Sequence, residues 1–163
     1  MTKLHQFRPF WGLPNASPFC MKAETYLRYR NIEFEAVPSN PRQSPSKQIP
    51  FIVTDDGQTI TDSEQIIVHF ETLLPSPMDA ELSNKQKALA YLSYASGIQL
   101  IEVLANILGD KPYFLGDKIH TLDMSVYAFL ANIIDQPYAN PLQDLMNYCQ
   151  QIKQLAWRDW RTP

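Results

Sequence analysis

Two prolines in Leu74-Pro75-Ser76-Pro77 end any helix that reaches them, because each removes a backbone donor and fixes φ. They also separate two textures. Residues 1–74 mix short β-like runs, helical patterns and turn residues, whereas 75–163 read as almost entirely helical. The expected organisation is a small mixed domain over 1–74 followed by an all-helical domain over 75–163. The length of 163 residues suits two such halves and leaves no room for several full domains. With 45% hydrophobic and 19% charged residues, the chain can build a core, and wholesale disorder is excluded.

In the first half, Lys3-Leu4-His5-Gln6-Phe7 alternates polar and apolar residues and reads as a strand. Ser17-Pro18 reads as a helix N-cap with proline at the first helical position. Behind it Phe19, Cys20, Ala23, Tyr26 and Leu27 recur at helical spacing, which puts Lys22, Thr25 and Arg28 toward water. Phe34 to Val37 is a second strand, Phe51-Ile52-Val53 a third, and Asp56-Gly57 turns the chain into a fourth around Thr59-Ile60. The polar stretch from Ser39 to Ser46 reads as a loop. Asp62 and Gln65 have capping-box spacing ahead of a helix carrying Ile66, Ile67, Phe70, Leu73 and Leu74 on one face. A strand–helix–strand unit implies a parallel pair with a right-handed crossover, and the hairpin adds antiparallel strands. The half is therefore a mixed four-stranded sheet with helices packed on it.

The second half opens with Ser83 and Gln86 at capping-box spacing and continues through Ala88, Tyr91, Leu92, Ala95, Ile98, Ala105 and Leu108. Asp123 to Ile134 is apolar on nearly every side, as in a helix at the centre of a bundle. Asn140-Pro141 is a further cap, followed by the stripe Leu142, Leu145, Cys149, Ile152 and Leu155. On the first of these helices Leu89, Leu100, Val103 and Ile107 face away from that core stripe. One small monomer has difficulty covering both faces, so a homodimer, or a stable hetero-complex, built on this helix is expected, unless the tail around Trp157 and Trp160 folds back over the second face.

Several functions are excluded early. The net charge is −3, from 14 basic and 17 acidic residues scattered along the chain, so no basic stripe invites nucleic acid or an anionic membrane. Cys20 and Cys149 are too few and too far apart for a disulfide scaffold or a zinc module. His5, His69 and His120 are isolated, and no glycine-rich phosphate loop is present, so neither a metal nor a nucleotide is expected. No run approaches the roughly 20 apolar residues that cross a bilayer, and the N-terminus lacks the apolar core of a secretory signal. A soluble, cytoplasmic protein is the expectation.

One segment suggests chemistry. A hydroxyl or thiol at a helix start, as in Ser17-Pro18-Phe19-Cys20, sits beside unpaired N–H groups and the positive end of the dipole, where an anion such as a ligand thiolate is stabilised. The plainer reading makes Ser17 a cap and Cys20 a small core residue. Three further motifs accompany it in order: Gln48-Ile49-Pro50-Phe51-Ile52, Thr61-Asp62-Ser63, and Tyr113-Phe114-Leu115-Gly116-Asp117-Lys118 with Asp123 before an apolar helix.

Together these motifs resemble the thioredoxin fold as glutathione transferases use it. Leu13 to Cys20, Pro41-Arg42 and Thr61-Asp62-Ser63 are most similar to the metaxin and failed-axon-connections branch. The resemblance implies a thioredoxin-like first domain, an all-α second domain, and glutathione as ligand. In the family a cis proline, here Pro50, opens the third strand, and the backbone of the preceding residue, here Ile49, pairs with the cysteinyl part of glutathione like an added strand. The resemblance further implies that Asp62 takes the γ-glutamyl ammonium, that Ser63 and its helix start take the carboxylate, and that Lys47 or Gln48 meets the glycyl carboxylate. Ser17 stands where a redox relative carries its attacking cysteine, which disfavours thiol–disulfide chemistry and leaves Ser17 to lower the thiol pKa. Two functions follow: transfer of the glutathione thiolate to a small electrophile, or a non-catalytic interaction module that keeps the fold. The chain departs from the family in two places. His120-Thr121-Leu122-Asp123 has histidine where a capping hydroxyl is usual, so that Thr121 is the expected cap. The helical domain is also short between the boundary and Tyr113.

Overall fold

The structure, a computed structural model of the chain, describes residues 1–10, 12–83, 101–134 and 143–160. Two compact units form: Met1–Pro75 with Leu155–Pro163, and Ser76–Gln154.

The first unit is built on a four-stranded sheet in the order β2-β1-β3-β4. Its strands are β1 (Thr2–Gln6), β2 (Phe34–Pro38), β3 (Phe51–Val53) and β4 (Thr59–Thr61), with α1 (Pro18–Tyr29) between the first two and α2 (Ser63–Leu73) after the last. β1 and β2 run parallel, β1 and β3 antiparallel, and β3 and β4 form the hairpin. Asp56-Gly57 turns that hairpin: Gly57 sits at φ 84°, a region open to glycine, and its N–H donates to Thr54 O at 2.9 Å. Leu4, Ile52, Met21, Tyr26, Leu27 and Ile66 are fully buried between sheet and helices. The stretch from Ser39 to Ser46, read as loop, contains one 3-10 turn (Pro41–Gln43) closed by a reciprocal Asn40–Gln43 capping box.

Helix α1 departs from the simple amphipathic reading. Lys22 is 4% exposed and Thr25 0%, whereas Phe19 on the expected core face is 44% exposed. The cause is cover on a second side. Lys22 Nζ meets Glu64 of α2 at 2.5 Å, and Trp157 of the chain's tail donates its indole N–H to Thr25 Oγ1 at 3.1 Å. A helix buried on two sides loses the one-face pattern that periodicity detects. On α2, likewise, Ile66, Ile67 and Phe70 are buried while Leu73 and Leu74 stand exposed.

The second unit contains α3 (Ile101–Leu108), α4 (Thr121–Ile134) and most of α5 (Gln143–Ala156). Leu122, Met124, Tyr127, Ala128, Leu130 and Ala131 of α4 are all buried, as expected of a central helix. Thr121 does not cap α4. Instead His120 N donates to Asp123 Oδ2 at 2.9 Å, and Asp79 supplies the missing acceptor, taking Thr121 N at 3.1 Å and the Thr121 hydroxyl. A carboxylate 42 residues away in sequence thus does the work of the absent N-cap hydroxyl. The caps read at Ser83–Gln86 and Asn140-Pro141, and the pattern from Ala88 to Leu100, fall wholly or mainly outside the described residues. No helix among the described residues is long and apolar enough to cross a membrane.

Candidate functional site

Strand register gathers the site. His5 opposite Phe51, and Phe51 opposite Thr61, bring the ends of β1 and β4 beside the start of β3. The parallel partner β2 ends at the same edge, Gln6 opposite Pro38. Segments 7–17, 39–50 and 62–63 therefore all meet one end of the sheet.

Ser17 occupies the N-cap of α1 in an extended conformation, φ −94° and ψ 121°. Its Oγ accepts from Cys20 N at 3.4 Å, and the hydroxyl also hydrogen-bonds the Cys20 thiol, so one group caps the helix and carries a donatable proton. Asn15, fully buried, holds the segment. Its Nδ2 donates to Phe7 O at 2.8 Å, and its Oδ1 accepts from Ser17 N at 3.0 Å. Sequence reasoning assigned no role to Asn15, although an asparagine two residues before a helix cap is a known signal for an Asx turn.

The Ile49–Pro50 peptide is cis. Pro50 is buried and Ile49 half-buried, and Pro50 O accepts from Asp62 N at 3.1 Å. Among the described residues the N–H and C=O of Ile49 have no hydrogen-bond partner, so a short strand edge stands open beside Pro50. Asp62 sits at φ 77°, ψ 137°, a conformation that costs a non-glycine residue of order 1–3 kcal/mol. The pairing with Pro50 on one side and the Glu64 N–H bond to its Oδ1 at 2.8 Å on the other hold it there. Ser63 follows at the first turn of α2, 1% exposed, with no hydrogen bond to its hydroxyl among the described residues. Gln48 and Lys47 are exposed at the same approach. The fold thus draws Ile49, Pro50, Asp62 and Ser63 together. Ser17 follows β1, the strand between β2 and β3.

Cys20 lies one turn into α1 and is fully buried. Burial pushes its thiol up to about 11, against smaller lowering contributions from Ser17 and the Phe7 backbone, so it is neutral at pH 7. Labelling by a maleimide or disulfide reagent at pH 7 is expected to be far slower for Cys20 in the folded protein than after denaturation. Comparable rates would contradict the burial.

Beside this set, on the β2–β1 side, a cleft of about 580 Å³ is lined by Phe7, Arg8, Pro9, Phe10, Ala16, Pro38, Ser39, Asn40 and Gln43. No carboxylate among the described residues lines it. The arrangement offers an open strand edge, a helix start with a hydroxyl, a carboxylate for a cation, and an apolar recess next to Ser17. Such a site can hold a small peptide by backbone pairing and by its charged ends.

The comparisons with known proteins bear on the family and the fold. The chain matches the glutathione S-transferase N-terminal domain over residues 18–97 and the glutathione S-transferase C-terminal domain over 97–158. It is 25% identical over 233 residues to the isoprene-epoxide–glutathione S-transferase of Rhodococcus sp. (strain AD45), covering 94% of this chain and 98% of that protein. That alignment is longer than the chain itself, so the relative carries residues with no counterpart here. Metaxin-1 of Mus musculus is 36% identical over 86 residues, 51% of this chain and 27% of its own length. Among solved structures, glutaredoxin 2 of Salmonella typhimurium in complex with glutathione superposes with a TM-score of 0.70 at 15% identity, covering 96% of this chain and 95% of that one. A thioredoxin-like sheet with its helices, followed by a helical region, is thus the shared fold, and the chain belongs to the glutathione S-transferase-like family, near its metaxin branch.

Proposed function

We propose that the chain binds glutathione at the end of its sheet and transfers the thiolate to a small electrophile. In this reading 1–74 is the glutathione-site domain and 75–163 a shortened helical domain. The observation that carries it is the open Ile49 backbone next to Asp62 and Ser63. The cysteinyl backbone of glutathione pairs with Ile49 beside Pro50, Ser63 and the start of α2 donate to the γ-glutamyl carboxylate, and Asp62 takes the ammonium. Gln48 approaches the glycyl end.

The thiol then lies toward Ser17, whose hydroxyl turns from Cys20 to the incoming sulfur and, with the helix N-terminus, stabilises its anion. The thiolate sulfur forms a bond to an electrophilic carbon, and the leaving group or opened epoxide oxygen takes the electron pair. An epoxide acceptor is the class named in the Rhodococcus relative.

Calorimetric titration with glutathione tests the binding. Asp62→Asn keeps the cap and removes the charge, so affinity is expected to fall by about 1.5–3 kcal/mol, some ten- to 150-fold. Absence of heat at millimolar glutathione would reject the reading. In that case the non-catalytic interaction module stands, a role favoured by the relative's residues that have no counterpart here. The proposal also includes a homodimer, or a stable hetero-complex, through the segment from Ala88 to Leu108 that the sequence pattern reads as helical, and a cytoplasmic location. Light scattering and fractionation test these two.

A further inference from the structure

We infer that Cys20 is a positioning residue for Ser17, a role that rests on the proposed glutathione reading. When the Ser17 hydroxyl turns to the glutathione sulfur, the Cys20 thiol donates a hydrogen bond to Ser17 Oγ and so keeps the hydroxyl proton on the ligand. The argument starts from what a hydroxyl can do: Oγ has two lone pairs and one proton. Cys20 N, a fixed main-chain donor of the helix that Ser17 caps, takes one lone pair at 3.4 Å. The bond between hydroxyl and thiol favours the sulfur's anion, so in the free protein the hydroxyl is its donor. Once that proton leaves for a ligand, the second lone pair faces Cys20 Sγ. A donor at that position stops the hydroxyl from swinging back.

Three features make Cys20 that donor. The first is that its sulfur keeps a proton: Cys20 is fully buried, burial pushes the thiol up to about 11, and Glu24 one turn further along α1 raises it too. The second is that the sulfur's other contact is itself a donor. Gln6 O accepts from Ser39 N at 2.7 Å, which fixes the Gln6–Phe7 peptide, and the N–H of Phe7 reaches Cys20 Sγ. With an N–H already aimed at the sulfur, its own proton is free for an acceptor, and Ser17 Oγ is one already in contact. The third is the brace around both ends. Asn15, fully buried, takes Ser17 N at 3.0 Å and donates to Phe7 O at 2.8 Å, so the residues flanking Cys20 Sγ hold their places. The donors then run from Phe7 N–H through Cys20 S–H and Ser17 O–H to the glutathione sulfur, each bond polarising the next. No proton changes owner along this line. Glutathione's thiol proton leaves to water, and Ser17 and Cys20 keep theirs.

The test compares glutathione with S-methylglutathione, which has no thiol to ionise, on the full chain and on Cys20→Ala and Cys20→Ser. Ultraviolet absorbance of the bound thiolate, followed against pH, gives the thiol pKa in each complex, and calorimetry gives both affinities. Cys20→Ala is expected to leave S-methylglutathione binding unchanged. It should lower the thiolate-to-thiol ratio of bound glutathione about two- to fivefold, the effect of one weak S–H···O bond. Cys20→Ser keeps a donor at the same place and should hold the ratio at the wild-type value or above. An unchanged ratio in Cys20→Ala, a serine variant no better than alanine, or an equal loss of both ligands, the mark of structural damage, would each overturn the relay. If the wild type binds neither ligand, the glutathione reading fails and the relay with it. If it binds both but leaves the thiol at its free-solution pKa, the binding site stands and the relay alone fails.

Discussion

Asp123→Ala is expected to destabilise the helical unit by about 3–5 kcal/mol, because it strips the acceptor from a cluster of buried donors. Asp123 is fully buried. Its Oδ1 accepts from Phe114 N at 3.0 Å and from the Tyr148 hydroxyl at 3.2 Å, and its Oδ2 from His120 N at 2.9 Å. Tyr148 keeps a bond to the Asp123 backbone oxygen at 2.8 Å, so the main losses are the two backbone N–H groups, each about 1–3 kcal/mol when buried unpaired. The apolar setting also raises the Asp123 carboxyl above its ordinary 3.8, outweighing the bonds that lower it. A raised folded pKa means the native state binds the proton more tightly, so this group's contribution is full at acid pH and is lost as pH rises through the folded value. Chemical denaturation of the wild type and Asp123→Asn at several pH values reads both effects. The wild type should lose stability relative to Asp123→Asn as pH rises from about 4, and a loss under about 1 kcal/mol in Asp123→Ala would contradict the cluster's role.

That cluster also marks where sequence reading stops. The capping acid of α4 was legible because Asp123 stands three residues past His120, a local spacing. Its second acceptor was not, since Asp79 reaches Thr121 only through the fold. The sheet was legible almost to the residue, because alternation, a Ser-Pro cap and an Asp-Gly turn are local signals that tertiary contacts here reinforce. The buried faces of α1 were half legible. Lys22 and Thr25 look solvated by periodicity, and only the partners Glu64 and Trp157, far along the chain, take them out of water.

The candidate site divides in the same way. Ile49-Pro50 and Asp62-Ser63 were legible as motifs, yet their juxtaposition depends on the β3–β4 register, and the bond from Asp62 N to Pro50 O expresses it. Asn15 was passed over because its two bonds serve backbone groups and its neighbours carry the motif. The cleft was invisible for a different reason. Most of the lining comes from the connections after the first two strands, and what makes them a recess is the parallel pairing of the two strands they follow.

Removing Glu24 tests what ties α1, and so Ser17 at its start, to the sheet. Glu24 is 2% exposed on the inner side of α1. Its Oε1 accepts from both Nε and NH2 of Arg28, at 2.9 and 2.8 Å, and its Oε2 accepts from Gln6 Nε2 at 2.5 Å. Arg28 in turn lies over the Trp157 ring, 4.5 Å from its centroid, and over Phe34 at 5.7 Å, so one carboxylate organises strand, helix and tail. Breaking a buried pair by deleting one partner costs about 3–5 kcal/mol. Arg28 is 26% exposed and can recover some hydration, which puts Glu24→Ala near the lower end, about 3 kcal/mol. Glu24→Gln keeps an acceptor for one neighbour and should cost about half as much. A double-mutant cycle with Arg28→Ala separates the pair from the packing of Arg28 on Trp157. A coupling energy of about 1 kcal/mol or more is expected for groups in one network. Additive losses would mean that Glu24 and Arg28 act independently, and that the tail is held by the rings and the Thr25–Trp157 bond alone.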